Sequence, residues 1–119
     1  MPSVLVVDDD ADLRKPLVMF LEAHGFKVAE AKDGVEAVHL FRHVENVVGE
    51  NPFDFVVSDY QMPRMNGVLL LMELRHLEPT QKMVLMSADP PKLPQEIADI
   101  PVMHKPFRLK ELVELLTKL

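Results

Sequence analysis

Residues 53–59 read F-D-F-V-V-S-D, an apolar run that ends abruptly at Asp59. The same construction occurs at residues 4–9, V-L-V-V-D-D, where the run closes on Asp8 and Asp9. It recurs at residues 83–87, M-V-L-M-S, closing on Ser87, and at residues 100–107, I-P-V-M-H-K-P-F, closing on Lys105. Short apolar runs without alternation are the pattern of parallel strands whose two faces are both covered by helices. In such a sheet the carboxyl ends of the strands share one edge, and ligands bind in the crevice outside it. The spacing therefore predicts that three carboxylates, a hydroxyl and an ammonium meet in one pocket.

Working outward, strand and helix patterns alternate five times. Strands are predicted at 3–7, 27–31, 54–58, 83–86 and 100–104. Leu13, Leu17, Phe20, Leu21 and His24 recur at helical spacing, and Gly25 then supplies a stop. Pro16 falls early in this pattern, so the helix either starts near Asp12 or bends at the proline, which lacks the amide needed further in. Asp33 can cap a second helix whose inner face is Ala37, Val38 and Phe41. A third is predicted at 66–77 and a last at 107–119, with Leu109, Leu112, Val113 and Leu116 facing inward. Pro90, Pro91, Pro94 and Pro101 leave room for only a short or distorted fourth helix. Alternating elements with short connections imply a parallel α/β sheet with right-handed crossovers.

A chain of 119 residues with 48% hydrophobic residues suits a single globular domain, here residues 1–119. No apolar run approaches the roughly 20 residues needed to cross a bilayer, and the N-terminus has no secretory pattern. The absence of cysteine excludes disulfides and thiolate metal sites. A cytoplasmic location, with no membrane association, fits these features. The net charge of −6 and the lack of a basic stripe argue against direct nucleic-acid binding.

Together, the acidic pair after the first strand, V-V-S-D-Y-Q-M-P-R-M-N-G at residues 56–67, Ser87 after the fourth strand and K-P-F at 105–107 resemble the receiver domain of two-component response regulators. The resemblance covers essentially the whole chain. It implies a doubly wound (βα)5 flavodoxin-like fold with a five-stranded parallel sheet of order 2-1-3-4-5. It implies a phosphorylation-switched signalling module rather than an enzyme. By the same resemblance Asp59 is the phosphoacceptor, and Asp8, Asp9, Asp59 and the backbone carbonyl of Gln61 hold Mg2+. Ser87 and Lys105 would contact the phosphoryl oxygens, Pro106 would hold the Lys105 peptide, in the family usually as a cis bond, and Met62, Pro63 and Gly67 would shape the following loop. The partners implied are a histidine kinase or phosphotransfer protein as donor and a downstream protein or output domain as target.

The chemistry is consistent with these residue types. Phosphoryl transfer is mainly positioning plus charge stabilisation. Mg2+ demands hard oxygen ligands and retains waters. Crowded carboxylates repel one another, and a dication and Lys105 offset that repulsion.

Two departures from the family stand out. Many receivers carry an aromatic residue three positions before the strand-end lysine, where this chain has Val102, and the proline-broken fourth helix is unusual. The expected switch is therefore backbone movement of residues 88–94. Gln61 and Asp89, two residues beyond Asp59 and Ser87, sit where the family tunes the lifetime of the phosphoryl group.

Competing readings attach to several of these residues. Asp8 and Asp10, as D-x-D after a strand, also resemble the start of haloacid-dehalogenase-type phosphatases. A degenerate receiver acting only through protein binding is a third possibility. His39 and His43, four apart, have metal-pair spacing but no third ligand, and an exposed helix face explains them better. His104 reads as a strand residue facing away from the site.

Overall fold

The computed structural model describes residues 1–43 and 53–119. Five strands, β1 (Ser3–Val7), β2 (Lys27–Ala31), β3 (Phe55–Asp59), β4 (Lys82–Ser87) and β5 (Val102–His104), form one sheet. Every pairing is parallel, as the sequence pattern predicts, and the order is β2-β1-β3-β4-β5, as the resemblance implies. Among the described residues α1 (Ala11–Ala23), α2 (Gly34–His43) and α3 (Gly67–Leu77) lie between strands, and α4 (Leu109–Lys118) follows β5. Between β4 and β5 stands only a three-residue 3-10 turn, Gln95–Ile97. The four prolines of that connection leave no room for more, which bears out the expectation of a short fourth helix.

The side-chain period of a strand, two residues, divides the core. Val4, Val6, Phe55, Val57, Val84 and Met86 face α1 and α4, meeting Leu17, Val18, Leu21, Leu112 and Leu116. Leu5, Val7, Val56, Met83 and Leu85 face α2, α3 and the 3-10 turn, meeting Ala37, Phe41, Leu70, Leu71, Leu74 and Ile97. Each such aliphatic side chain removed from water contributes roughly 1.5–3 kcal/mol, an upper range because the unfolded chain is already partly compact. Burial on both faces is why these runs do not alternate. Among the described residues no helix is long and apolar enough to cross a membrane.

Local chemistry sets the element ends. Asp10 caps α1 by accepting from the Asp12 amide at 2.9 Å, so the helix starts early enough for Pro16 to lie inside it. Leu17, Val18 and Leu21 form its buried face, whereas Leu13 is exposed and His24 stacks on Phe20. Gly25, with φ of 89°, lets the Phe26 amide return to the Leu21 carbonyl at 3.1 Å. Asp33 accepts from the Glu36 amide at 2.8 Å, the predicted cap of α2. Asn66 caps α3 through the Leu69 amide.

Several strand boundaries differ from expectation: β3 ends at Asp59 rather than 58, and β4 runs Lys82–Ser87 rather than 83–86. β3 begins at Phe55; just before it the Asp54 carboxylate accepts from the Ser3 amide at 2.7 Å, beside the bond from the Asp54 amide to the Ser3 carbonyl. β5 begins at Val102, because Pro101 has no amide to donate, although its carbonyl still accepts from Leu85. The pair His39 and His43 is only partly visible: His39 is exposed on α2, and the side chain of His43 lies outside the described residues.

Candidate functional site

β1 lies between β2 and β3, so the connections leave it towards opposite sides and open a crevice at its carboxyl end. Asp8 and Asp9 follow β1 directly, and Asp59 is the last residue of β3. One carboxylate oxygen from each of Asp8, Asp9 and Asp59 lies within 4.8 Å of the others. Asp8 and Asp59 are buried and Asp9 is exposed, so the cluster sits at the floor of an opening to solvent. Three hard oxygen donors at this spacing can hold a metal ion.

Among the described residues Lys105 is the cation directly bonded to the cluster. Lys105 Nζ lies 2.7 Å from Asp59 Oδ1, and both side chains are largely buried. That contact fixes the rotation of the Asp59 carboxylate. Lys105 itself is held by its backbone: its amide donates to the Ser87 carbonyl at 2.9 Å, and the Lys105–Pro106 peptide is cis, as the resemblance implies.

Asp8 is fixed on several sides. Its amide donates to the Ala31 carbonyl of β2, and its Oδ1 accepts from the Asp10 amide at 3.0 Å. Burial raises its pKa above the ordinary value of 3.8, and the charges of Asp59 and Asp9 push the same way, against the Asp10 amide and Lys105. A cation bound among these oxygens relieves that cost.

Ser87 closes β4, one residue beyond Met86, the β4 neighbour of Asp59. Its Oγ accepts from the Asp89 amide at 3.1 Å, tying the hydroxyl to the start of the proline-rich segment. Gln61 is exposed and lines an open cavity of about 450 Å3 with Asp9, Tyr60, Met62, Pro63 and Asn66. Val102 is half-buried against the α2 and α3 side of the core. His104, two residues on and so on the same face of β5, is exposed.

Gly67 explains the tight exit from β3. Its amide donates to the Tyr60 carbonyl at 2.7 Å, and a Cβ there would stand 2.3 Å from the Asp59 carbonyl oxygen. No side chain fits between the phosphoacceptor candidate and α3. Just before it, Arg64 takes a positive φ of 70°.

Asp10 does not join the carboxylates. It is exposed and spends its side chain on capping α1, so the D-x-D phosphatase reading loses its second acid. Sequence reasoning missed Arg14, whose guanidinium reaches the Asp8 carbonyl, and Arg75, which bonds Asp99 and the Glu96 carbonyl beside the 3-10 turn. Each had an acidic partner distant in sequence, and no local pattern marks such pairs.

Comparison with known proteins agrees with this fold. A family model for the response regulator receiver domain matches residues 4–117. The sensor kinase CckA of Brucella abortus is 39% identical over 115 residues, covering 92% of this chain but 12% of the kinase. The response regulator receiver protein CpdR of the same organism is 28% identical over 100% of this chain and 97% of its own length. The solved structure of the response regulator TrrA of Thermotoga maritima, in complex with Mg2+-BeF, superposes with a TM-score of 0.80 at 27% identity, covering 99% of this chain and 98% of that one.

Proposed function

This chain belongs to the response regulator receiver domain family, and from that premise we propose that it accepts a phosphoryl group on Asp59 and thereby switches its surface for a partner. The observation that carries the proposal is the 2.7 Å contact of Lys105 with Asp59 inside a three-carboxylate cluster. Such an arrangement is costly unless a cation and an anionic ligand use it.

Asp8, Asp9, Asp59 and the Gln61 carbonyl would hold Mg2+, the ion present in the related TrrA complex. When bound, the ion supplies charge neutralisation for the incoming phosphoryl oxygens. The rest is done by side chains. An Asp59 carboxylate oxygen attacks phosphorus in line as the bond to the donor's leaving atom breaks, giving an acyl phosphate. The donor would be a phosphohistidine of a histidine kinase or phosphotransfer protein, whose imidazole leaves. Lys105 pairs with a phosphoryl oxygen, and the Ser87 hydroxyl donates to another. Turning that hydroxyl to the phosphoryl group strains its bond from the Asp89 amide, which moves residues 88–94 and alters the surface read by a downstream protein or output domain. These roles suit a cytoplasmic signalling domain rather than a turnover enzyme.

The test is incubation with acetyl phosphate and Mg2+, chemical trapping of the acyl phosphate, and mass mapping. Label on Asp59, lost in Asp59→Asn, supports the proposal. Label on Asp8 with steady phosphate release points to a phosphatase, and no label points to a binding-only receiver.

A further inference from the structure

The peptide that joins Asp8 to Asp9 is gripped from outside the carboxylate cluster. Arg14, one turn into α1, donates from Nη1 to the Asp8 carbonyl oxygen at 2.6 Å. Its Nε donates to Glu30 Oε1 at 2.9 Å, and its side chain is only 11% exposed. Glu30 lies on β2 and is paired a second time by Lys15 Nζ, at 3.0 and 3.1 Å to its two oxygens. A planar guanidinium with two of its donors committed cannot rotate without breaking one of them. The Asp8 amide, in the preceding peptide, is bonded to the Ala31 carbonyl and fixes the other side of the Asp8 Cα. The plane between the two acidic residues is thus held by Arg14 of α1 and, through Glu30, by β2.

The Asp8 carbonyl and the Asp9 amide belong to one rigid unit, so its tilt sets the directions in which both side chains leave the backbone. We infer that Arg14 is a positioning residue for the metal site, holding the Asp8–Asp9 peptide so that both carboxylates converge on one cation. The inference rests on the proposed Mg2+ site and extends it to a residue that touches neither metal nor phosphoryl group. Glu30 serves the same end by orienting the guanidinium. The bonds from Arg14 and Lys15 hold the Glu30 carboxyl below its ordinary pKa, so the pair stays ionised across the neutral range.

Geometry and charge make opposite demands here, which makes the inference testable. Arg14 is a cation near a cation site. If it acted through its field alone, its removal would tighten Mg2+ binding. If it positions the peptide, its removal weakens binding, on the order of tenfold, as for other residues that orient metal ligands.

The experiment is calorimetric titration of MgCl2 into wild-type protein and into R14M, R14K and E30Q, with thermal unfolding of each metal-free protein alongside. We expect about tenfold weaker binding in R14M and at least about threefold weaker in R14K, which keeps the charge but loses the fork. E30Q, which keeps an acceptor oxygen for Nε, should stay within about twofold of wild type. Should R14M fail to fold, R14K decides the question. Unchanged or tighter binding in the folded Arg14 variants overturns the inference while leaving the Mg2+ site intact. Wild-type protein that takes up no Mg2+ overturns both.

Discussion

Replacing Gly67 with alanine inserts one methyl group between α3 and the backbone of the proposed phosphoacceptor. The new Cβ would lie 2.3 Å from the Asp59 carbonyl oxygen, 2.9 Å from Tyr60 Cα and 2.8 Å from Leu85 Cδ1. Two of these neighbours are backbone. Unstrained contacts lie near ~3.5 Å, so a gap of about 1 Å must open between helix and strand. Leu85 is fully buried in the core beneath α3 and has little room to yield. Overpacking of this kind costs about 1–3 kcal/mol, and alanine's better helix propensity returns a fraction of that at a first-turn position. We expect a net loss of about 2 kcal/mol, read as a fall of about 1 M in the urea midpoint for a domain of this size. Because the displaced atom belongs to Asp59 itself, labelling by acetyl phosphate should slow by at least about tenfold, as misplacements near 1 Å do elsewhere. Gly34→Ala is the matched control. Its Cβ would meet Met65 Sδ at 2.7 Å and Met65 Cβ and Cγ at 3.1 Å, so the flexible thioether must swing aside and the stem yield by a few tenths of an ångström, with no backbone atom in the way. A Gly34→Ala protein as destabilised as Gly67→Ala, or a Gly67→Ala protein with wild-type midpoint and labelling, refutes the reasoning.

Four further outcomes are expected. Lys105→Met removes the cation bonded to Asp59, so Mg2+ should bind a few-fold more tightly in calorimetry while acetyl phosphate labelling falls steeply; weaker metal binding would contradict the electrostatic account. The Asp99 carboxyl is held below its ordinary value of 3.8 by the Arg75 guanidinium, so its contribution is fully present above 3.8 and lost as pH falls through the folded value. The stability gap between wild type and Asp99→Asn in urea melts should therefore be small but measurable at neutral pH, since Asp99 is exposed, and should close in strong acid. Gln61→Ala and Asp89→Ala should each change the decay rate of the trapped acyl phosphate, and unchanged decay in both would remove them from the water's approach. Amide exchange of residues 88–94 should differ between Mg2+-bound protein with and without beryllofluoride; identical protection would place the switch elsewhere.

The buried strands were legible because full coverage on both faces makes their sequence nearly continuous in Val, Leu and Met, as at Val4–Val7, all wholly buried. Asp8, Asp9, Asp59 and Lys105 were legible because each ends such a run, and a parallel sheet gathers those ends. The boundary at Asp54 was not, since its carboxylate answers to Ser3, 51 positions away. Leu13 fits helical spacing yet lies exposed beside an apolar hollow lined by Leu17, Met86, Phe107 and Leu109, because periodicity gives a face but not how far the neighbouring helix reaches. Gln81 is buried with its amide donating to the carbonyls of Phe53, Asp54 and Lys82, a polar core position that no local pattern announces.

The single 3-10 turn between β4 and β5 has a mechanical consequence. A full helix at that place would behave as a rod, carrying a push at one end to the other as a rotation of its whole length. Three residues cannot do so. The far end of the connection is moored by Arg75 to Asp99 and to the Glu96 carbonyl, and by Ile97 and Ile100 sunk in the core. The near end hangs from Ser87. On the proposed switch, displacement at Ser87 would be absorbed within the few residues before the mooring, like a flap hinged on one side, and the change offered to a partner would be local in extent.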